Sequence, residues 1–381
     1  MILPGGTLGI LGGGQLGRMI AVPARQFGYS IAVLAPMGDA PALGLADHAI
    51  RASFDDVDAA RQLARLSDVV TYEFENVPAA TARAVAELRP LHPNANLLAI
   101  TQDRNDEHTF VGSLGIPTAP GRAVYTVADL EAAVAELGLP ARLKSARGGY
   151  DGGGQLRLHD DASMARARER VPTVPGGWRL EAEVRFEREV SVVIARSSRG
   201  LRAYAPLENE HRDGILHLSR WPARGSPRAL ARAVQIAEAV AEASALVGVM
   251  CVECFVTDDE VRVNELAPRV HNSGHLTIEG AGVSQFEQHL RAICDLPLGD
   301  AAPRAGGVAM VNLLGTVDRK RVRLAGVDDA LGEPGVSVHL YGKDRERPRR
   351  KMGHVTALGR DGDEAVARAL RAAAHLRLTE A

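Results

Sequence analysis

The sequence predicts a mixed fold: a parallel α/β sheet at the N-terminus, an α+β region after it, and a smaller β-rich segment at the end. Three observations predict it. Apolar runs alternate with helix-period segments through residues 7–88, as βαβ units do. From about Ile116 to Pro297, short strand-like runs come with tight turns and one long helix. Residues 301–381 add three further strands and a closing helix. At 381 residues the chain exceeds one ordinary core, and breaks near 112 and 300 are expected.

In the N-terminal part, "TLGIL" reads as a strand, Gln15–Phe27 as a helix and "SIAVLA" as a second strand. Asp56–Leu66 is helical, "DVVTYEF" a strand and Ala79–Leu88 helical again. One continuous helical stretch, "LLAITQDRNDEHTFVGSLG", then leads to Pro117. The central strands are "PARLKSA", "GQLRLH", "WRLEAEV" and "EVSVVIARS". The helix Pro227–Leu246 precedes a hairpin, "VMCVECFVTDDEVRVNELA". "GVAMVNLLG", "VSVHLYG" and "KMGHVTALG" follow as strands, and a helix near Glu364–Leu376 ends the fold.

Composition excludes several function classes. The chain is 46% hydrophobic and 24% charged with a formal net charge of −2, which gives no reason to expect nucleic acid or a membrane surface as partner. Aromatic residues make up 4%, few platforms for stacking bases. No apolar run reaches the roughly 20 residues of a membrane span, and the N-terminus has no signal-peptide pattern, so the cytoplasm is the expected location. Cys251, Cys254 and Cys294 are too few for a disulfide framework. Cys251 and Cys254 lie three apart on a strand, so they face opposite sides and cannot close on one metal. Only four of the 45 Lys+Arg are lysine: Lys144, Lys320, Lys343 and Lys351. A chain that writes Arg almost everywhere keeps Lys where a compact ammonium is needed.

Gly12, Gly14 and Gly17 in "GILGGGQLGRMIA" satisfy the spacing of a dinucleotide-binding turn. Such a site also needs an acidic residue at the end of the second strand. That strand ends in Ala35 and Pro36, and Asp39 follows only after the turn, so the NAD reading lacks its second contact. Amide groups at the helix N-terminus would suit a phosphate or another small polar ligand.

"LKSARGGYDGGGQLRL" (143–158) places a glycine-rich flap between two strands, with Lys144 on the strand before it. Backbone N–H groups of such a loop can close over nucleotide phosphates. On the following hairpin, a three-residue loop at Asp258–Glu260 would set Glu253 directly opposite Glu265. Like charges so placed repel unless a cation lies between them, and carboxylates with the amide of Asn264 suit Mg²⁺ bridging substrate phosphates. Together these features point to an ATP·Mg²⁺ site.

These motifs in this order resemble the ATP-grasp ligases, and within them the 5-(carboxyamino)imidazole ribonucleotide synthase family of purine biosynthesis. The resemblance rests on "GGGQLGRM", "YEFENV", "TQDR", "GGYDGGGQ", "HRDGIL", "ECFV", "NELAPRVHNSGH", "YGK" and "RKMGH". It implies a Rossmann-like domain over 1–112, an ATP-grasp domain over 113–300 and a C-terminal domain over 301–381 completing the cleft. It implies that ATP phosphorylates bicarbonate to carboxyphosphate and that 5-aminoimidazole ribonucleotide takes the carboxyl group, in a homodimeric enzyme.

By the same resemblance, Arg104, Lys144 and the loop Gly149, Tyr150, Asp151, Gly152, Gly153, Gly154 and Gln155 hold the ATP phosphates. Glu181, Ala182, Glu183 and Val184 form the adenine hinge; Glu189 meets the ribose, and His211 and Asn264 make further nucleotide contacts. Glu253 and Glu265 hold Mg²⁺. Arg269, His271 and Asn272 bind bicarbonate and carboxyphosphate, and with Asp151 they make up the catalytic set. Gln15, Leu16, Glu73, Tyr150 and Asp151 surround the aminoimidazole and its ribose, and Lys343 and Arg350 bind the 5′-phosphate. Two positions depart from the family pattern: Gly153 replaces a flap cation, and Arg142 replaces an apolar residue before Leu143-Lys144. The rival readings are a formate-using purine transformylase of the same superfamily, a nicotinamide-dependent dehydrogenase and a non-catalytic nucleotide-binding regulator.

Overall fold

A computed structural model of the chain describes residues 1–36, 38–149, 154–258 and 260–380. The N-terminal part runs β1 (Thr7–Leu11), α1 (Gln15–Gln26), β2 (Ser30–Ala35), β3 (His48–Arg51), α2 (Val57–Leu66), β4 (Val69–Tyr72), α3 (Ala79–Ala86), α4 (Ala95–Thr101) and α5 (Arg104–Ser113). Its four strands are all parallel in the order β3-β2-β1-β4. Apolar side chains fill both faces: Ile10 and Val33 belong to one core, Leu11 and Leu34 to another. That is why these strands read as unbroken apolar runs and not as alternation. Strand β3 is mostly exposed and lacks an apolar run, so the sequence reading passed over it.

The stretch expected as one helix is two. Asp103 caps α5 by accepting from Asn105 N–H, and Gln102 turns aside to donate to the carbonyls of Glu75 and Val77. The break places Arg104 at the first turn of α5, where its backbone N–H donates to the Ala146 carbonyl beside the glycine flap.

Next come β5 (Gly121–Val124), α6 (Val127–Leu137), β6 (Ala141–Ser145), β7 (Gln155–Leu158), α7 (Asp161–Arg170) and β8 (Trp178–Ala182). These four strands form an antiparallel sheet, β5-β8-β6-β7, packed on the two helices through Leu130, Leu143, Trp178 and Leu180. The flap is the connection between β6 and β7.

The largest layer is a nine-stranded sheet built from two sequence regions. The first gives β9 (Arg188–Ser197), β10 (Gly200–Ala203), β11 (Leu207–Arg212), β12 (Ile215–Trp221), α8 (Pro227–Ala243), β13 (Gly248–Thr257), β14 (Glu260–Ala267), α9 (Thr277–Gly280) and α10 (Gln285–Ile293). The second runs β15 (Gly307–Leu314), β16 (Arg319–Lys320), β17 (Val322–Ala325), α11 (Val327–Gly332), β18 (Val336–Leu340), β19 (Arg345–Glu346), β20 (Lys351–Gly359), α12 (Gly362–His375) and β21 (Arg377–Glu380); of its strands β15, β18 and β20 join this sheet, while β16 pairs with β19 and β17 with β21. The order is β14-β13-β9-β11-β12-β15-β20-β18, with β10 on β9. Strand β12 pairs with β15, Leu218 opposite Val311, so strands on either side of residue 300 share one sheet. Helix α8 covers one face through Ile236 and Val240; α10 covers the other through Phe286 and Leu290. Cys251 and Cys254 fall in these two separate cores, as their strand spacing requires.

His289 on α10 ties the N-terminal sheet to this layer. Val249 N–H donates to its Nδ1 at 3.0 Å, which leaves the proton on Nε2 to donate to Thr71 Oγ1 at 2.8 Å. Burial lowers its pKa to about 3, so the ring is neutral and this tautomer is fixed. Gly248 makes room for it: a Cβ there would meet the ring at 3.0 Å, and its φ of +115° favours glycine. His289→Ala leaves two buried groups unpaired and opens a cavity, so a loss of about 3 kcal/mol in unfolding free energy is expected from denaturant titration.

Candidate active site

The hairpin of β13 and β14 supplies the centre of the site. The expected three-residue loop is absent: Thr257 pairs with Glu260, a tighter connection that by itself would put Glu253 opposite Asn264. A bulge at Asn264 shifts the register by one, and Glu253 faces Glu265 after all. The predicted pair is therefore correct, although the predicted turn is not. Facing residues share one side of the sheet, and both line a cleft of about 660 Å³.

Each carboxylate has its own cation. Glu253 Oε1 lies 2.9 Å from His271 Nε2, and Glu265 Oε2 lies 3.1 Å from Arg104 NH2. Burial alone would raise the Glu253 pKa; His271, His211 and Arg269 around it hold it well below the usual carboxylate range. Burial would likewise lower His271, but Cys251 and Glu253 against the ring raise it to about 10. Behind the pair, Glu107 accepts from Leu266 N–H at 2.7 Å and pins the strand just past the bulge. Burial drives the Glu107 carboxyl up to about 8 despite Arg104 beside it.

Lys144 reaches the cleft from β6. Its Nζ lies 2.6 Å from Glu181 Oε2 and 3.5 Å from Asn264 Oδ1. Glu181 is buried, with His108 3.2 Å away on its other oxygen. Burial opposes its ionisation, yet His108, Lys144 and Arg104 hold it far below its ordinary pKa. Glu181 is thus the counter-ion that orients Lys144, and it lines the cleft together with Ala182, Glu183 and Val184. Glu189 and His211 also line it and are paired with each other through Oε2 and Nδ1. Gly149, Gly154 and Gln155 bound it on the flap side. Tyr150, Asp151, Gly152 and Gly153 lie outside the described residues.

The segment after β14 brings in Arg269, His271 and Asn272, all on the cleft wall. Arg269 is held by Glu75 at 2.6 Å. Asn272 exchanges amide hydrogen bonds with Asn312 of β15 at 3.2 and 2.7 Å, and Asn312 also donates to the Leu216 carbonyl. The sequence reading did not nominate Glu75 or Asn312. Glu75 stood in the quoted "YEFENV", two residues from the nominated Glu73; Asn312 had no local signal. Phe186 and Phe255, stacked at 4.6 Å, and Lys351 also line the cleft and were missed. Lysine scarcity was the available signal for Lys351.

Gln15 and Leu16 open onto the cleft, but Glu73 does not line it. Its Oε1 accepts from Gly14 N–H at 2.5 Å and its Oε2 from Gly17 N–H at 2.9 Å. The expected phosphate-binding amides are therefore occupied by the protein's own carboxylate. Asp39 is engaged as well, by Arg350 at 2.7 Å and by Arg345 N–H at 3.1 Å. Lys343 donates to the Lys351 carbonyl at 2.6 Å. Arg350 lines a neighbouring concavity with Asp39, Lys320, Arg345 and Arg347, apart from the main cleft lining.

The sequence matches three family models in chain order. Residues 6–102 match the ribonucleotide synthetase preATP-grasp domain, 109–286 the ATP-grasp domain, and 308–368 the phosphoribosylaminoimidazole carboxylase C-terminal domain. The N5-carboxyaminoimidazole ribonucleotide synthase of Bacillus subtilis (strain 168) is 42% identical over 366 residues, 96% of this chain and 94% of that one. The chain belongs to the N5-carboxyaminoimidazole ribonucleotide synthase family. An N5-carboxyaminoimidazole ribonucleotide synthetase crystallised as its ADP complex superposes with a TM-score of 0.91 at 42% identity, covering 98% of this chain and 97% of that one. The Aspergillus clavatus enzyme in complex with ADP and 5-aminoimidazole ribonucleotide superposes at 0.88 with 31% identity, covering 97% and 98%. As a member of this ATP-grasp family the chain is an ATP-dependent ligase, a carboxylase of 5-aminoimidazole ribonucleotide in purine biosynthesis. Among the described residues no helix is long and apolar enough to cross a membrane.

Glu73 also explains why membership in this family is compatible with a dinucleotide-like turn. Removing its carboxylate strands two amides at the mouth of α1. Glu73→Ala is expected to lower unfolding free energy by about 1–3 kcal/mol, with Glu73→Gln, which keeps an acceptor oxygen, losing less; paired denaturation curves measure both.

Proposed function

We propose that the cleft transfers the terminal phosphoryl group of ATP to bicarbonate and then passes the carboxyl group to the ribonucleotide, across three domains spanning 1–112, 113–300 and 301–381. The observation that carries this reading is the facing pair Glu253 and Glu265, which shares one cleft with Lys144, Arg104, Arg269, His271 and Asn272. Glu181, Ala182, Glu183 and Val184 meet the base, Glu189 meets the ribose, and His211 and Asn264 make further nucleotide contacts. Lys144, Arg104, Gly149, Gly154 and Gln155 hold the phosphates, with Tyr150, Asp151, Gly152 and Gly153 assigned to the flap by resemblance.

The donor set fits Mg²⁺. Two carboxylates on one face, with the Asn264 amide oxygen beside them, are hard oxygen donors. Among the described residues no three His, Cys, Asp or Glu side chains converge on a metal, so the other ligands would be phosphate oxygens and water. Glu253 and Glu265 would hold the ion, which supplies charge neutralisation at the transferring phosphate.

In the first step a bicarbonate oxygen attacks the γ-phosphorus, the bond to the bridging oxygen breaks, and ADP leaves. Arg269 offers a fork of donors for the oxyanion, kept in orientation by Glu75, and Asn272 is fixed by Asn312. In the second step the exocyclic amine attacks the carboxyl carbon, the carbon–oxygen bond to phosphate breaks, and the amine loses a proton to give the carbamate. Gln15, Leu16 and Glu73 attend the aminoimidazole side, Glu73 by holding the turn that presents Gln15. Lys343 and Arg350 take the 5′-phosphate. The resemblance proposes a homodimer, and the composition a cytoplasmic location.

Purified protein with Mg²⁺ should release phosphate from ATP only when bicarbonate and 5-aminoimidazole ribonucleotide are both present; formate in place of bicarbonate should give none. Lys144→Ala should raise the KM for ATP about tenfold or more, because one charge-assisted phosphate contact is lost. A second expectation concerns pH. Burial lowers the Lys343 ammonium to about 7, with Arg350 adding repulsion and Glu73 only partly opposing it. Its charge, and with it attraction for a phosphate, is present below that pH and lost above it. The kcat/KM for the ribonucleotide should therefore fall about tenfold from pH 6 to 8 on this limb, and Lys343→Arg should remove the limb.

A further inference from the structure

Arg142 lines the cleft, yet none of the steps above gives it a task. It stands on β6 two positions before Lys144, so both side chains leave the strand on one face. Its cross-strand partner on β7 is Arg157. Two guanidinium groups directly opposite each other repel, and one carboxylate answers both. Glu183 receives two bonds from Arg157, Nε to Oε1 at 2.9 Å and NH2 to Oε2 at 2.8 Å. Arg142 reaches only Oε1, from Nε at 3.0 Å and NH2 at 2.9 Å.

Arg142 is thus anchored along one edge while its side chain stays 44% exposed. Its anchor, Glu183, belongs to the hinge, and the same cleft is lined by Val184 and the stacked rings of Phe186 and Phe255. A planar, weakly hydrated cation held by one edge in such a cleft has the properties of a stacking surface for a flat π-system.

We infer that Arg142 is a base-binding residue: its guanidinium, pinned by Glu183, is the platform on which the purine ring of the nucleotide stacks. The inference rests on the reading that ATP occupies this cleft. Glu183 then acts twice, once as part of the hinge and once as the group that neutralises and aligns the platform.

Calorimetric titration of the full-length protein with ADP, and separately with inorganic tripolyphosphate, both with Mg²⁺, separates the base from the phosphates. For Arg142→Ala and Arg142→Lys, ADP affinity should fall about three- to tenfold while tripolyphosphate affinity stays unchanged. The lysine variant keeps the charge and a partner for Glu183 but lacks the plane, and it serves alone if the alanine variant does not fold. Unchanged ADP affinity, an equal loss for tripolyphosphate, or a lysine variant that behaves as the parent would each overturn the inference. If the parent protein binds neither ligand, the nucleotide reading itself falls, and this one with it.

Discussion

Two carboxylates facing each other across a hairpin are the constraint from which the rest of the site follows. Left alone, Glu253 and Glu265 would push the strands apart. The fold surrounds them with cations drawn from three separate segments: Arg104 from a helix start, Lys144 from the sheet across the cleft, and His271 from the turn after the hairpin. Lys144 in turn needs a counter-ion, which Glu181 supplies from the buried side, while Glu107 pins the strand behind the pair. Such an arrangement stores little stability, since desolvation consumes most of the Coulomb gain. Its worth lies in orientation. The groups are held where charge moves during the reaction, so little needs to reorganise when it does.

The N-terminal glycine turn shows the same logic with the opposite outcome. A helix N-terminus attracts an acceptor, and here the Glu73 carboxyl group, just past the end of β4, takes that place. Two amides of the turn are consequently taken by the protein's own side chain, and the turn carries Gln15 and Leu16 onto the cleft. Lys343 lies close enough to Glu73 for each to perturb the other, which joins the C-terminal loop electrostatically to the first helix. A motif that evokes one ligand class by spacing is thus used for support, and the deciding residue lies some sixty positions away in sequence.

Much of this was legible in the sequence because it rests on local periodicity. The parallel sheet, the flap strands, α8, the closing helix and the hairpin pairing all follow from runs and turns within a few residues of one another. The facing of Glu253 and Glu265 was also legible, though by a compensation: a shorter turn and a bulge at Asn264 restore the register that a longer turn would have given. What was not legible depends on distant partners. Periodicity could not distinguish Glu73, turned onto the glycine amides, from Glu75, turned onto Arg269. Nor could it pair Glu181 with Lys144, or Asn312 with Asn272 across the sheet. The exposed strand β3 and the Asp103 break between α4 and α5 escaped for a simpler reason, since neither changes the apolar pattern.

The pairing of β12 with β15 has a further meaning for how the molecule holds together. Strands that share backbone hydrogen bonds melt together, so the last quarter of the polypeptide is no detachable appendage to the nucleotide-binding layer. Severing the connection near residue 300 would leave β12 with a bare, adhesive edge and Asn272 without its amide partner. Evolution of this architecture is accordingly bound to keep both halves in one cooperative block, whatever freedom the surrounding loops retain.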